Sequence, residues 1–174
     1  YKKLLYLILE VLCTFVFMRI KLLAIGKTDD PHLNTLIDSY QNRLKHYVPF
    51  ELEIIPDLKK AKNLSEHQQK EKEGLLILKK LQATDHLFLL DEKGKEFRSV
   101  QFADFLQKKM NSGCKQVVFV IGGPYGFSEA VYQKALGKVS FSKMTFSHQM
   151  IRLFVVEQLY RGFSILKNEP YHHE

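Results

Sequence analysis

Apolar positions along this chain follow two alternating rhythms. From Met18 onward, short runs of mostly apolar residues alternate with longer stretches in which apolar residues recur every three or four positions. Arg19–Ile25 (RIKLLAI) predicts a first strand ended by Gly26. Asp30-Pro31 opens a helix to about Tyr47, with Leu33, Leu36, Ile37, Tyr40 and Leu44 on one face. Pro49 stops it, and Phe50–Ile55 (FELEII) predicts strand two, closed by Pro56. Ser65 is the expected N-cap of a helix to about Leu81. His86–Leu90 (HLFLL) predicts strand three, with DEKGK after it as a turn. Ser99 is the expected N-cap of a helix to about Met110, which Asn111-Ser112-Gly113 ends. Gln116–Ile121 (QVVFVI) is unbroken in apolar character, as expected of a strand buried on both faces. Ser128 caps a short helix to about Leu136, Phe141–Phe146 reads as a fifth, polar-flecked strand or loop, and Gln149–Leu166 is the last and most apolar helix.

Strands alternating with helices predict a single-domain α/β fold, a mainly parallel sheet with helices on both faces. A length of 174 residues suits one such domain. A chain of this size buries roughly 68–70% of its unfolded surface and needs no covalent staples.

Residues 1–17 (YKKLLYLILEVLCTFVF) break the pattern. Two lysines before an apolar run resemble a signal peptide or short anchor. Glu10 interrupts the run, no small-residue cleavage site follows, and a spanning helix needs about 20 apolar residues. The expectation is a non-native upstream extension before a start at Met18, with a short membrane anchor as the alternative. The domain then spans residues 18–174.

A formal charge of +7 and a pI near 9.3 suit an anionic partner such as nucleic acid, though an anionic membrane surface would be served equally. Cys13 and Cys114 form no CxxC pair and no disulfide framework, which points to a reducing, cytoplasmic compartment.

Several familiar chemistries fail on spacing. Gly26-Lys27-Thr28 follows a strand as the end of a phosphate-binding loop would, but that loop needs a glycine at position 21, which is Lys. There is no GxGxxG fingerprint for a dinucleotide. His172 and His173 are adjacent and lack the spacing that aims two ligands at one ion, so no metal is expected.

Ile121-Gly122-Gly123-Pro124-Tyr125-Gly126 is more informative. It follows the most buried strand, and ligands in open α/β sheets bind beyond the carboxyl ends of strands. A tight strand-to-helix turn explains the same residues equally well. The SFSKMTFSHQ stretch adds weight, because Ser140, Ser142, Thr145 and Ser147 are costly in a buried strand without partners. A polar ligand would supply them, with Phe141, Met144 and Phe146 enclosing an aromatic ring. Leu90-Asp91 at the third strand's end forms a further wall. The terminal PYHHE would ordinarily fray, yet Tyr171 can stack on a base and His172 can exchange a proton near neutrality.

Together IGGPYGF, SFSKMTFSHQMIRLFVVEQLYRGFSI and PYHHE resemble the RlmH family, small SPOUT-class methyltransferases of large-subunit ribosomal RNA. The likeness runs from Met18 to Glu174 and includes MRIKLLAIGK, KEKEG at Lys70–Gly74 and LDEKGK. It implies a C-terminal trefoil knot, a homodimer, and S-adenosylmethionine as methyl donor. The matching cofactor positions are Leu90, Gly122, Phe141, Ser142, Lys143, Met144, Thr145 and Phe146. It also implies that the tail of one subunit lies near the cofactor of the other. The implied substrate is N3 of a pseudouridine in a 23S rRNA hairpin loop on the assembled ribosome, with Tyr171 packing on the base and His172 orienting or accepting the N3 proton. His173 stands where the family usually carries Arg or Lys, which predicts activity falling as pH rises and the imidazole loses charge. Ser147 replaces a frequent Pro. The competing class is a non-catalytic RNA- or ribosome-binding protein on the same fold.

Overall fold

Each of the apolar runs pairs with another in parallel. The computed structural model describes residues 18–58 and 61–173. The strands are β1 Arg19–Ile25, β2 Phe50–Ile55, β3 His86–Glu96, β4 Gln116–Ile121 and β5 Gly137–Ser140. The helices are α1 Pro31–Leu44, α2 Glu66–Lys79, α3 Ser99–Asn111, α4 Glu129–Lys134 and α5 Met150–Leu166, with a 3₁₀ turn at Ala61–Asn63. The strands lie in the order β2-β1-β4-β3-β5 and every pairing is parallel. The expected single α/β domain is therefore what forms, with β4 at the centre.

Alternation along the strands sorts the core into two layers. Ile20, Leu22, Ala24, Phe88, Val117, Phe119 and Ile121 face α1, α3 and α5. Leu23, Ile25, Leu87, Leu89, Val118 and Val120 face α2 and α4, where they meet Ile77 and Val131. Full burial of each such side chain contributes ~1.5–3 kcal/mol. The starts of α1 and α2 are capped by side chains, whereas Ser128 takes the cap position of α4 without a side-chain hydrogen bond. Asp30 accepts from the His32 and Leu33 N–H groups at 2.7 and 3.2 Å, and Ser65 with Gln68 forms a reciprocal capping box. At Ser99 the cap position is instead Arg98, one residue earlier.

One further sequence expectation changes and another is narrowed. DEKGK does not turn the chain away. β3 continues through it to Glu96, with a register irregularity between Leu90 and Lys95, and pairs again with Val139 and Ser140. Gly94 permits this, since a Cβ there would lie 2.6 Å from the Val139 carbonyl carbon. Of the two forms expected for Phe141–Phe146, the loop is what forms: residues 141–149 lead to α5, and the fifth strand is the preceding Gly137–Ser140. The hydroxyl-rich run cannot be buried as a strand, and the shorter GKVS with its one branched residue takes the edge position instead. The expectations for residues 1–17 fall outside the described residues. Among the described residues, no helix is long and apolar enough to cross a membrane.

Candidate active site

Parallel pairing brings three strand ends to one place. Leu90 of β3 lies in register with Ile121 of β4 on one side and Val139 of β5 on the other. The segments leaving those ends enclose a cavity of about 410 Å³, within the size range of small-molecule sites. Leu90, Gly122, Phe141, Ser142, Met144, Thr145 and Phe146 all line it, as does Asp91. Lys143 sits on the same loop but outside the lining, its ammonium 3.8 Å from Glu96.

The glycine turn is shaped from beneath by α2. Gly126 has φ of +80° and its N–H donates to the Gly123 carbonyl at 3.1 Å, closing the turn. A Cβ on Gly123 would lie 2.2 Å from Glu73 Oε2, and one on Gly74 would lie 2.2 Å from Ser128 Oγ. Helix and turn therefore touch backbone to side chain at two successive helix positions. Glu73 is buried; its Oε1 accepts from the Gln69 amide at 2.8 Å while Oε2 has no partner. Burial raises its carboxyl above the usual range, the Gln69 hydrogen bond opposes this, and nearby Asp57 adds to it.

The loop from β5 to α5 uses its hydroxyls on itself. Ser140 Oγ donates to the Ser142 carbonyl at 2.9 Å, Ser142 Oγ accepts from the Met144 N–H at 2.9 Å, and Ser147 Oγ accepts from the Met150 N–H at 3.2 Å. These four hydroxyl residues were expected to need a ligand, and the three serines among them are satisfied within the loop. The aromatic residues anchor it: Phe141 meets Phe102 at 5.5 Å and Phe146 meets Phe154 at 4.9 Å between ring centroids. Met144 stays 75% exposed at the rim.

Across the cavity the Tyr132 hydroxyl donates to Asp91 Oδ2 at 2.8 Å. Burial first, and then Asp91, push the Tyr132 phenol up to about 12. Asp91 Oδ1 accepts from the Lys93 N–H at 2.8 Å. His148 lies exposed at the cavity wall. Desolvation and then the Arg152 charge hold it below the ordinary histidine value, against the favourable Gly122 backbone.

Behind the cavity, Arg152 of α5 is buried and ties α5 to the end of β1. It donates to Thr28 Oγ1 at 2.7 Å and to the Ile25 carbonyl at 2.8 Å. Burial lowers its affinity for the proton, and Asp57 and Asp29 work in the other direction. Gln149 adds a second tie by accepting from the Asp29 N–H at 3.0 Å.

The tail lies elsewhere. Tyr171 and His172 are not among the residues lining the cavity of this chain. Tyr171 packs instead on α1 and α5, its hydroxyl 3.1 Å from that of Tyr40 and donating to Glu157 at 3.0 Å. His172 is half-buried, with an unpartnered Nδ1. Among the described residues, no three His, Cys, Asp or Glu side chains gather as a metal site. Sequence reasoning passed over Tyr132, Glu73 and Arg152 as individual residues. An arginine among the apolar residues of the first two turns of α5 was the visible signal for Arg152; nothing in the local pattern marks Tyr132.

Residues 18–172 match the family described as predicted SPOUT methyltransferases. The chain is 71% identical over 157 residues to the ribosomal RNA large subunit methyltransferase H of Flavobacterium johnsoniae, covering 90% of this chain and 100% of that protein. The protein of the same name from Flavobacterium psychrophilum is 69% identical, and that from Parabacteroides distasonis 65% identical, with the same coverage.

Proposed function

Because the chain belongs to the SPOUT methyltransferase family, we propose that it methylates N3 of a pseudouridine in a hairpin loop of 23S rRNA on the assembled ribosome. The donor in this reading is S-adenosylmethionine. The observation that carries it is the convergence of Leu90, Gly122, Phe141, Ser142, Met144, Thr145 and Phe146 on one cavity at the carboxyl ends of β3, β4 and β5.

The residues present fit that donor. Leu90, Phe141, Phe146 and Ile151 offer an apolar slot for an adenine ring, and the glycines bring backbone close enough to hydrogen-bond its polar edge. The Asp91 carboxylate suits the ribose hydroxyls and a donor that carries net positive charge. Bound there, the donor supplies an electrophilic methyl group on a sulfonium. The chain's own contribution is to hold that group against the attacking nitrogen, exclude water, and manage the N3 proton. His172 is the residue offered to orient or accept that proton, with Tyr171 beside it on the substrate side and Lys143 on the cavity loop.

The tail lies outside the cavity of its own chain, which favours a homodimer in which each tail serves the other subunit. Exposed Met144, Met150, Phe154 and Leu36 supply apolar surface for such a contact. A knotted path of the C-terminal segment and a cytoplasmic location belong to the same reading. The charge of +7 suits recognition of a large ribonucleoprotein particle by field and shape.

Mass spectrometry of 23S rRNA from a deletion strain tests the activity, with calorimetry of S-adenosylmethionine testing the donor. Loss of one methyl group on a pseudouridine, restored by the intact gene, is the expected result. An unchanged rRNA together with no donor binding would leave a ribosome-binding protein without catalysis.

A further inference from the structure

The end of α5 carries a cluster of aromatic and charged side chains that the cavity does not use. Glu157 Oε1 accepts from Arg161 Nε at 3.0 Å and from the same guanidinium's terminal nitrogen at 2.6 Å. The same oxygen accepts from the Tyr171 hydroxyl at 3.0 Å, and Tyr40 of α1 approaches that hydroxyl at 3.1 Å. The Arg161 guanidinium lies 4.6 Å from the centroid of the Tyr171 ring, and Tyr160 meets that ring at 4.7 Å in a tilted edge contact. Arg43 of α1 in turn lies over Tyr40 and Tyr160, at 5.4 and 5.9 Å. None of these residues lines the cavity.

The backbone leading to Tyr171 is fixed as well. Asn168 takes φ of +53° just past the helix, which reverses the chain. The Glu169 N–H then donates back to the Ser164 carbonyl at 2.9 Å, and Tyr47 donates its hydroxyl to the Glu169 carboxylate. Burial, then Tyr40 and Glu157, hold the Tyr171 phenol well above its ordinary value, so it remains a donor at working pH. The segment is thus tied down at both backbone and side chain. Ring and hydroxyl of Tyr171 are both committed within the subunit.

We propose that Tyr171 is a positioning residue, locked by Glu157, Arg161, Tyr40 and Tyr160 so that His172 is held at a fixed point for the reaction. This rests on the reading that the tail serves methyl transfer. It differs from a role for Tyr171 in packing on the substrate base. A base-packing role needs the ring alone. The lock needs the hydroxyl and the Glu157 charge.

The test measures methylation of assembled ribosomes by the full chain and by its Tyr171→Phe, Tyr171→Ala, Glu157→Gln and His172→Ala variants, with donor affinity by calorimetry. Tyr171→Phe and Glu157→Gln should each lower kcat about tenfold to a hundredfold. KM for ribosomes and donor affinity should stay within about threefold of wild type, a split that general unfolding would not produce. Combining the two substitutions should cost little more than either alone, because both break one contact. A fully active Tyr171→Phe beside an inactive Tyr171→Ala would overturn the lock in favour of ring packing. A loss confined to KM would overturn it in favour of a binding surface. If His172→Ala works at the wild-type rate, the tail reading itself fails; if only Tyr171→Phe does, the lock alone fails.

Discussion

Glu73 reaches so close under Gly123 that a single added carbon on the glycine would lie 2.2 Å from its carboxyl oxygen. The cavity's central turn and a helix carboxyl thus occupy adjoining space, with no room for a side chain. Gly123→Ala must displace the turn or the buried Glu73, whose Gln69 hydrogen bond holds it in place. Overpacking of this kind costs roughly 1–3 kcal/mol. The expected outcome is a lowered thermal midpoint with donor affinity reduced about tenfold or more, read by calorimetry. Gly123→Ala/Glu73→Ala should recover part of both losses, since the second change clears the clash.

The same carboxyl should leave a mark on stability as pH changes. In the unfolded chain Glu73 ionises near 4.5, and burial moves it higher in the folded protein. Between those two values the folded state holds a proton that the unfolded state has released. Stability therefore falls as pH rises through that window. Glu73→Gln removes the titration while keeping the shape. Thermal midpoints of the two proteins should be nearest at pH 4 and diverge in favour of the variant toward neutrality. A constant gap from pH 4 to pH 8 would show that Glu73 does not titrate in this range.

These relationships mark where sequence reading stops. The run of strands and helices was legible because burial imposes a period of two or of 3.6 on apolar residues, and the unbroken apolar QVVFVI read as a strand buried on both faces. Strand ends were legible too, which is how Leu90, Gly122 and Phe141–Phe146 came to be singled out. The continuation of β3 through DEKGK was hidden, because its composition is that of a turn and the pairing depends on how closely Gly94 approaches Val139. Glu73 was hidden for a related reason: a glutamate in a polar helix reads as solvated, and only packing reveals that it faces Gly123. Tyr132 and Asp91 lie 41 positions apart, and their hydrogen bond belongs to the fold alone. The tail's docking onto α1 likewise joins residues more than a hundred positions apart.

Among the described residues Arg152 is the largest fully buried side chain, and its partners are on β1 and the turn after it. Arg152→Met fills similar space but leaves the Ile25 carbonyl and Thr28 hydroxyl without their donor. Leaving buried acceptors unmatched in this way should cost roughly 3 kcal/mol. Denaturant unfolding should report a lower midpoint at unchanged slope. Because Arg152 ties α5, which follows directly on the cavity loop, to the end of β1, donor binding should weaken as well. Arg152→Lys, which keeps a charge but one donor group too few in fixed geometry, should fall between the two.

The Tyr132–Asp91 pair makes the last prediction. The phenol, pushed up to about 12, stays protonated well above neutrality. A raised tyrosine value means that its hydrogen bond is fully present below the ordinary value of 10.0 and is lost only as pH rises through about 12. Tyr132 should therefore add no alkaline limb to donor binding between pH 7 and 9.5. Tyr132→Phe removes the donor to Asp91 and frees that carboxylate to move. The expected loss in donor affinity is about fivefold to tenfold, close to one net hydrogen bond, and equal at every pH in that interval. Asp91→Asn should cost more, because a cationic donor loses its only lining carboxylate apart from Glu92. Calorimetry of the three proteins at pH 7 and 9.5 checks the sign and the order. A Tyr132→Phe variant that binds as tightly as wild type would mean that Asp91 needs no help to face the donor.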